Sequence, residues 1–326
     1  MKSINWGIIG CGDVTEIKSG PAFNLVPDSK LVAVMRRTEL KVKDYAERHK
    51  VPKWYTNADE LINDKDINAV YVATPPSSHA EYTIKAAEAG KPVYVEKPMA
   101  ASYEECKKMV EVCSVNNVPL FIAYYRRELS YFKIIKGLVD SGSIGGIQSI
   151  NMNLLTSHNY EDFSDGNLPW RVNPEIAGAG YFYDLAAHQF DYLDFVLGRI
   201  NKVSGYKSNS GGFYEAEDTV TASFLFDNNV IGTGHWCFVS DKKSERDSTI
   251  VYGEKGRIEF SFFSPNPIIV YQGNEKHIYE IPYEQHVQEP LIRTVVAELL
   301  GKGKCMSTGE SGSRTNWVMD KILGKL

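Results

Sequence analysis

The sequence predicts an α/β protein of two domains, with a parallel sheet at the N-terminus and an α+β domain with a mostly antiparallel sheet at the C-terminus. Strand and helix patterns alternate over about the first 125 residues, which is typical of a parallel sheet with helices on both faces. From about residue 147 the pattern changes to alternating or β-branched runs between turn residues, which indicates antiparallel strands. The length of 326 residues also exceeds one typical domain. We therefore expect domains over residues 1–125 and 126–326.

The composition narrows the class of protein. With 43% apolar and 24% charged residues, the chain has the make-up of an ordinary soluble globular protein. A net charge of −5 gives no electrostatic reason to expect nucleic acid or an anionic membrane as a partner. No apolar run approaches the length of a transmembrane helix. The five cysteines are scattered and odd in number, which favours reduced thiols and a cytoplasmic location.

Five short apolar runs in the first domain are predicted to form the parallel sheet. The strands are expected over residues 4–9, 31–35, 69–73, 93–96 and 120–123, and the helices over 39–49, 77–89 and 103–116. The second helix ends at Gly90, and Pro92 follows it. Ser102 precedes the third helix as an N-cap, and Glu105 completes a capping box three residues later.

Six further strands are predicted in the second domain. They are expected over residues 147–155, 219–226, 230–237, 248–252, 257–263 and 268–271, with turn residues at 227–229 and 253–256. One long helix, over residues 181–197, interrupts them and ends at Gly198. Helices over 287–300 and 313–323 are expected to close this domain, within a final segment at 287–326.

The first strand leads into a glycine turn, with the sequence Gly10-Cys11-Gly12-Asp13-Val14-Thr15. A Rossmann turn has the pattern Gly-x-Gly-x-x-Gly between a strand and a helix, because the first two glycines allow a tight turn and a close approach of pyrophosphate. Thr15 stands in the third place, where glycine serves helix packing. The turn therefore predicts a bound dinucleotide, and a glycine turn with only a structural purpose is the alternative.

The end of the second predicted strand bears on the choice of nicotinamide cofactor. Folds that prefer NAD place an acid there to hold the ribose hydroxyls. This chain has Arg36, Arg37 and Thr38 instead, which can hold a 2′-phosphate. We therefore expect NADP(H) rather than NAD(H). The alternative is that the two arginines only cap a solvated strand end.

Two places carry side chains suited to catalysis. Lys97 ends a short apolar strand about ninety residues after the glycine turn, which suggests redox chemistry on a bound nicotinamide. Asp184 and His188 are four residues apart on the long helix, so they share one face, and Asp191 could orient the imidazole. The same spacing also occurs in surface ion pairs, so spacing alone leaves both interpretations open.

Several segments match one known pattern across most of the chain. They are the turn at 10–12, residues 74–79, residues 90–98 with Glu96-Lys97-Pro98, the pair Asp184 and His188, and the strand 217–222. In these segments the chain resembles the Gfo/Idh/MocA oxidoreductases, which are named for glucose-fructose oxidoreductase and inositol dehydrogenase. It departs from them at Thr15 and at Tyr124-Tyr125, where many members carry an asparagine.

The resemblance implies a Rossmann domain followed by a domain with a large, open, mainly antiparallel sheet. It implies that Lys97 binds both cofactor and reacting hydroxyl, in a loop that often holds a cis Lys–Pro bond. His188 would be the general base, and Asp184 would orient the substrate. No metal is expected. The residues expected to bind the cofactor are Gly10, Cys11, Gly12, Asp13, Val14, Arg36, Arg37, Thr38, Thr74, Pro75, His79, Glu96 and Lys97.

Six further residues are candidates for substrate contact. Tyr125 and Arg126 follow the last strand of the first domain, although a solvated domain junction is an equal alternative. Trp170 and Arg171 precede the long helix and could form a stacking wall for a sugar, or anchor a domain interface. His158 and Tyr160 lie on a predicted loop and are weaker candidates.

The combined expectation is an oxidoreductase that transfers a hydride between NADP(H), or alternatively NAD(H), and a secondary alcohol of a sugar, cyclitol or similar polyol. Two other functions remain open, a nicotinamide-dependent glycosidase of the same fold and a non-catalytic nucleotide-binding sensor. We also expect a homodimer or homotetramer, because an uncovered sheet face favours self-association.

Overall fold

The computed structural model describes residues 2–158 and 168–326. The chain divides into two compact units, each made of two segments. The first unit consists of Met1–Leu129 and Glu284–Asn316, and the second consists of Ser130–Tyr283 and Trp317–Leu326.

The first unit contains a six-stranded sheet in which all neighbouring strands are parallel. Its strands are β1 (Ile4–Ile9), β2 (Ser29–Met35), β3 (Lys53–Tyr55), β4 (Ala69–Val72), β5 (Val93–Val95) and β6 (Leu120–Ile122). Their order is β3-β2-β1-β4-β5-β6, so β1 lies between β2 and β4 and the order reverses beside it. The predicted parallel sheet is confirmed, and β3 is an additional short edge strand.

The central strands are continuous apolar runs because both faces of the sheet are covered. Every residue of β4 and β5 is buried. The aromatic rings of Trp6, Phe23, Tyr71 and Tyr94 pack in sequence, with centroid distances of 4.9, 5.3 and 5.0 Å between successive rings. This packing joins Tyr71 of β4 to Tyr94 of the neighbouring strand β5.

Six helices connect these strands. They are α1 (Asp13–Ile17), α2 (Ala22–Leu25), α3 (Glu39–Arg48), α4 (Ala58–Asn63), α5 (His79–Glu88) and α6 (Tyr103–Val115). The predicted cap of α6 is present, because Ser102 Oγ accepts a hydrogen bond from the Glu105 amide at 3.3 Å. The predicted helix over 77–89 is divided into a 3₁₀ turn at Pro76–Ser78 and α5.

The second unit contains an eight-stranded sheet. Its strands are β7 (Ile147–Leu155), β8 (Ile200–Ser208), β9 (Thr219–Phe226), β10 (Ile231–Cys237), β11 (Arg246–Gly253), β12 (Gly256–Phe260), β13 (Ile268–Gln272) and β14 (Glu275–Tyr279). The order is β14-β13-β12-β11-β7-β10-β9-β8, and every pair is antiparallel except β7 with β10. The mostly antiparallel sheet is thus confirmed. The unpredicted strands β8 and β14 are the two edges, where exposed polar residues weaken the apolar pattern.

Among its described residues, the second unit contains the helices α7 (Ser130–Asp140), α8 (Pro174–Ala177) and α9 (Gly180–Leu197). The long helix α9 is buried against one face of the sheet. The ring centroids of Phe182 and Phe190 lie 5.1 and 5.4 Å from that of Trp236 in β10. Trp236 Nε1 donates a hydrogen bond to Gln189 Oε1 at 2.6 Å. This packing explains why the predicted helix is rich in apolar residues around most of its circumference.

The last two helices, α10 (Glu289–Leu299) and α11 (Gly309–Ile322), differ from the predicted arrangement. The whole of α10 lies in the first unit, and α11 begins in the first unit and ends in the second. Gln288, the residue before α10, joins this helix to the first unit. Its side chain forms hydrogen bonds with Tyr94 and Glu96, and its amide donates to the Lys18 carbonyl. No helix in the described ranges is both long enough and apolar enough to cross a membrane.

Candidate active site

The glycine turn lies where the ends of β1, β2 and β4 come together. The amides of Gly10 and Cys11 both donate to the Met35 carbonyl of β2, at 2.9 and 3.1 Å. Gly10 has a φ of +91°, and a Cβ there would lie 2.6 Å from Thr74 Cγ2, so only glycine fits. The predicted cofactor residues Gly10 and Thr74 are therefore neighbours.

Thr15 takes a different role from the packing glycine that it replaces. Its hydroxyl donates to the Gly12 carbonyl at 2.8 Å and accepts from the Gly12 amide at 3.0 Å, which closes the first turn of α1. Gly12 itself stays open, because a Cβ there would meet no atom closer than 3.9 Å. Burial raises the pKa of the Cys11 thiol to about 12, so it stays protonated. Asp13 is exposed and Val14 is half-buried beside them.

The arginines after β2 lie next to this turn. Arg36 is half-buried, and its Nη1 donates to the Cys11 carbonyl at 3.2 Å. The same atom is 3.9 Å from the position of a Cβ on Gly12. Arg37 and Thr38 follow and are exposed. The structure thus places positive charge at the edge of the glycine turn.

An ion-pair cluster joins the helices that follow β1 and β2. The Arg48 guanidinium of α3 holds both carboxylate oxygens of Glu16 of α1, at 2.8 and 2.9 Å, and His49 Nε2 lies 2.7 Å from the same carboxylate. The hydrogen bond from Arg48 lowers the pKa of Glu16 from its usual 4.5 to about 2, with a smaller contribution from His49 and an opposing effect of burial. This cluster fixes α1 relative to α3.

The buried carboxylate of Glu96 lies directly after β5. Its Oε1 accepts hydrogen bonds from the Tyr71 hydroxyl and from Gln288 Nε2, the latter at 2.5 Å. Its Oε2 accepts from the backbone amide of Lys97 at 3.1 Å. Burial, and next the negative Glu96, raises the pKa of Tyr71 well above its usual range, so this hydroxyl remains a donor. The carboxylate therefore fixes the backbone at Lys97, and the following Lys97–Pro98 bond is cis.

His79 joins the Thr74 segment to the loop after Lys97. The ring is fully buried, with Nε2 at 2.6 Å from the Thr74 carbonyl and Nδ1 at 3.1 Å from the Pro98 carbonyl. Burial lowers the pKa of His79, and the hydrogen bond with the Thr74 carbonyl opposes this shift. Both nitrogens face protein carbonyls, which makes His79 a support for the loop. Thr74 and Pro75 beside it are half-buried.

The predicted polar face of α9 is present in the second unit. Asp184 is half-buried, and its Oδ2 lies 3.4 Å from Nε of Arg171. The Arg171 guanidinium in turn lies over the Trp170 ring, 4.6 Å from the ring centroid. Three residues that the sequence singled out for the substrate region are thus connected by side-chain contacts.

His188 lies one turn after Asp184 and is 3% exposed. Its ring meets that of Phe263 edge to face, with centroids 6.2 Å apart. Asp247 holds the Phe263 segment, because its carboxylate accepts from the amides of Phe262, Phe263 and Ser264 at 3.1, 2.6 and 2.8 Å. The predicted strand over 257–263 was too long, since β12 ends at Phe260 and Asp247 turns the chain there.

The remaining substrate candidates follow strands of the two sheets, with Tyr125 and Arg126 after β6 and His158 after β7. Tyr125 and Arg126 contact each other, with Arg126 Nη1 at 3.2 Å from the Tyr125 hydroxyl, and both are at most 9% exposed. His158 stacks on Phe213 with centroids 4.4 Å apart, and Tyr160 lies outside the described residues. In the part of the chain that the structure describes, no group of three or more His, Cys, Asp or Glu side chains is placed to hold a metal ion.

Comparisons with known proteins show that the chain is similar to oxidoreductases. Residues 4–124 match the model of an oxidoreductase family with an NAD-binding Rossmann fold, and residues 132–259 match the GFO/IDH/MocA C-terminal domain. A protein named oxidoreductase P35 from Formosa agariphila is 40% identical over 322 residues, 98% of each chain. A 1,5-anhydro-D-fructose reductase from Ensifer adhaerens is 26% identical over 94% of this chain and 91% of the relative.

A solved structure shows that the similarity extends to the fold of the whole chain. The aldose-aldose oxidoreductase from Caulobacter crescentus, complexed with glycerol, matches with a TM-score of 0.86 and 23% sequence identity. The match covers 99% of this chain and 97% of the other.

The Glu16 cluster predicts a defined pH dependence of stability. Because the folded pKa of Glu16 is lowered, its stabilisation is complete above the unfolded value of 4.5 and is lost as pH falls through about 2. Glu16→Gln should therefore lower the free energy of unfolding by about 1 kcal/mol at pH 7, and the difference from the unsubstituted protein should shrink between pH 4.5 and 2. Urea denaturation at several pH values measures this. Glu47→Gln, at an exposed position of α3, is the matched control, and an equal effect of both substitutions would refute the prediction.

Proposed function

The chain belongs to the GFO/IDH/MocA oxidoreductase family, and on that premise we propose that it transfers a hydride between a nicotinamide cofactor and a secondary alcohol of a sugar, cyclitol or similar polyol. The observation that carries the proposal is the pairing, in one unit, of an open glycine turn with a lysine whose backbone is held by a buried carboxylate. The name of the reductase from Ensifer adhaerens supports a carbohydrate as substrate.

The residues of the first unit fit a dinucleotide. Gly12 leaves the face of the turn free of side-chain atoms, and the half-buried Arg36 supplies a positive charge beside it. A pyrophosphate needs both, close access to backbone and compensation of its charge. When bound, the nicotinamide supplies a carbon that accepts or gives up a hydride.

Three side chains take the remaining roles. The Lys97 ammonium stabilises negative charge that develops on the oxygen of the reacting alcohol. His188 accepts the proton of that hydroxyl during oxidation and returns it during reduction. Asp184 accepts a hydrogen bond from a neighbouring hydroxyl and orients the substrate, with Arg171 Nε 3.4 Å from its carboxylate.

The arginines after β2 favour NADP(H) over NAD(H). Arg36 lies beside the turn, and Arg37 and Thr38 are exposed to a ligand. Guanidinium groups hold a 2′-phosphate through charge-assisted hydrogen bonds. NAD(H) is the alternative cofactor.

The first prediction from this proposal concerns catalysis. Lys97→Ala and His188→Ala should each lower kcat by about 10²–10⁴-fold, because each removes charge stabilisation or proton transfer in the transition state. The assay is a panel of polyols and sugars with NADP⁺ or NAD⁺, followed by absorbance of the reduced nicotinamide. Lys91→Ala is the matched control, since Lys91 donates to the Asp64 carbonyl in the same unit, and His235→Ala on β10 is the control for His188. Full activity of Lys97→Ala would refute the assignment. Sugar release without net reduction of cofactor would favour a glycosidase.

The second prediction concerns the cofactor. The protein should have a higher kcat/KM with NADP⁺ than with NAD⁺, and Arg37→Ala should reduce that ratio by roughly 10-fold, the effect of one charge-assisted hydrogen bond. Lys41→Ala, an exposed cation on α3, is the control and should leave the ratio unchanged. A preference of the unsubstituted protein for NAD⁺ would contradict the prediction.

The third prediction concerns assembly, and we propose a homodimer or homotetramer. The sheet face opposite α9 exposes Tyr206, Ile231 and Ile278 by 83, 56 and 54%, which is costly for a monomer. Light scattering at micromolar concentration should give at least twice the 36.6 kDa of one chain. Tyr206→Lys should lower that mass, whereas Leu40→Lys, at an equally exposed position of the first unit, should not. A monomer would contradict this prediction.

A further inference from the structure

Gln288 is a fully buried residue that links α10 to the end of β5. Its side-chain amide has two partners, since Oε1 accepts from the Tyr94 hydroxyl at 2.9 Å and Nε2 donates to Glu96 Oε1 at 2.5 Å. Its exposed fraction is zero. These two bonds connect residues that are 194 and 192 positions apart in the sequence.

The hydrogen bond from Gln288 Nε2 determines the orientation of the Glu96 carboxylate. The two oxygens of a carboxylate move together, so fixing one oxygen fixes the other. Oε1 is held by two donors, the Tyr71 hydroxyl and Gln288 Nε2. Oε2 therefore faces the Lys97 amide, which donates to it at 3.1 Å. Charge-assisted bonds of this kind in a buried place are strong and directional.

A glutamine suits this place because it can accept and donate at once. Burial raises the pKa of Tyr94 well above its usual range, so the Tyr94 hydroxyl stays a donor and needs an acceptor. The Glu96 carboxylate needs a donor. An apolar side chain at position 288 would satisfy neither, and a carboxylate would repel Glu96.

The backbone around Gln288 is held to the segment after the glycine turn. The Gln288 amide donates to the Lys18 carbonyl at 3.1 Å, and His286 Nδ1 lies 2.6 Å from the Ile17 carbonyl. The segment therefore cannot shift independently of the end of α1. Gln288 has a fixed backbone from which its amide reaches Glu96.

We propose that Gln288 is a positioning residue for hydride transfer, which acts through Glu96 to hold the backbone of Lys97 in place. The inference rests on the proposed function, because that function assigns Lys97 to the reacting oxygen. Gln288 itself touches neither substrate nor cofactor in this account.

Amide hydrogen exchange tests the link without any need for activity. Gln288→Met keeps the volume but removes both polar atoms, so the amide of Lys97 should exchange at least about tenfold faster, as read by mass spectrometry of overlapping peptides. Pro98 has no amide, which simplifies the assignment of the signal to Lys97. Asn68→Leu is the matched control, because it removes a half-buried amide of the same unit that bonds Asn5 and Ser3 rather than Glu96. Equal exchange at Lys97 in both variants would overturn the proposal.

Tyr94→Phe is a gentler second variant that removes only the hydroxyl that orients Gln288. It should speed exchange at Lys97 in the same direction and less than Gln288→Met. It keeps the proposal open to refutation if Gln288→Met does not fold. If Gln288→Met does not fold, an unchanged rate of amide exchange at Lys97 in Tyr94→Phe would overturn the proposal.

Kinetics separate a positioning role from a general loss of stability. Gln288→Met should lower kcat by about tenfold and leave the KM for cofactor within about twofold. In a double-mutant cycle, Gln288→Met added to Glu96→Gln should cost less than about twofold more, because both act through one carboxylate. If the two substitutions lower kcat by factors that multiply in the double mutant, the proposal is overturned. If instead Lys97→Ala is fully active, the proposed function fails, while hydrogen exchange still decides whether Gln288 holds Lys97.

Discussion

One buried carboxylate, that of Glu96, organises the part of the first unit on which the chemistry depends. A buried charge is strongly destabilising unless hydrogen bonds compensate it, and Glu96 has three donors, from Tyr71, Gln288 and the Lys97 amide. The donors come from β4, the residue before α10, and the second residue after β5. Because the carboxylate accepts hydrogen bonds from all three donors, it fixes the position of the Lys97 backbone at the end of β5.

The same end of the parallel sheet carries other residues that we propose for cofactor binding. Gly10, Arg36 and Thr74 follow β1, β2 and β4, and the sheet order reverses at β1. The carboxyl ends of parallel strands lie at one edge of the sheet, so residues from distant parts of the sequence come together there. His79 and the Glu16 cluster then secure the loops and helices that leave this edge. Rigidity around an open turn is what a dinucleotide site requires.

Local patterns in the sequence were sufficient for most of the fold. The central strands and α9 have strong apolar periodicity, and the motif Glu96-Lys97-Pro98 is the basis of the proposed role of Lys97. Gln288 and Asp247 could not be found in this way, because their partners lie far along the chain and no spacing rule connects them. The edge strands β8 and β14 were missed because most of their residues are exposed, which leaves no alternation of apolar and polar residues. The first unit also contains α10, and the hydrogen bonds of Gln288 join the start of this helix to Tyr94 and Glu96.

The most direct test of the account follows the hydride itself. The protein is loaded with reduced cofactor carrying two deuterium atoms at nicotinamide C4 and mixed with a panel of keto sugars, and mass spectrometry locates the deuterium in a single turnover. We predict one deuterium on the carbinol carbon of a product, with transfer slowed at least about tenfold in Glu96→Gln although that variant still binds cofactor. Transfer at an equal rate in Glu96→Gln, or a product without deuterium on carbon, would contradict the account.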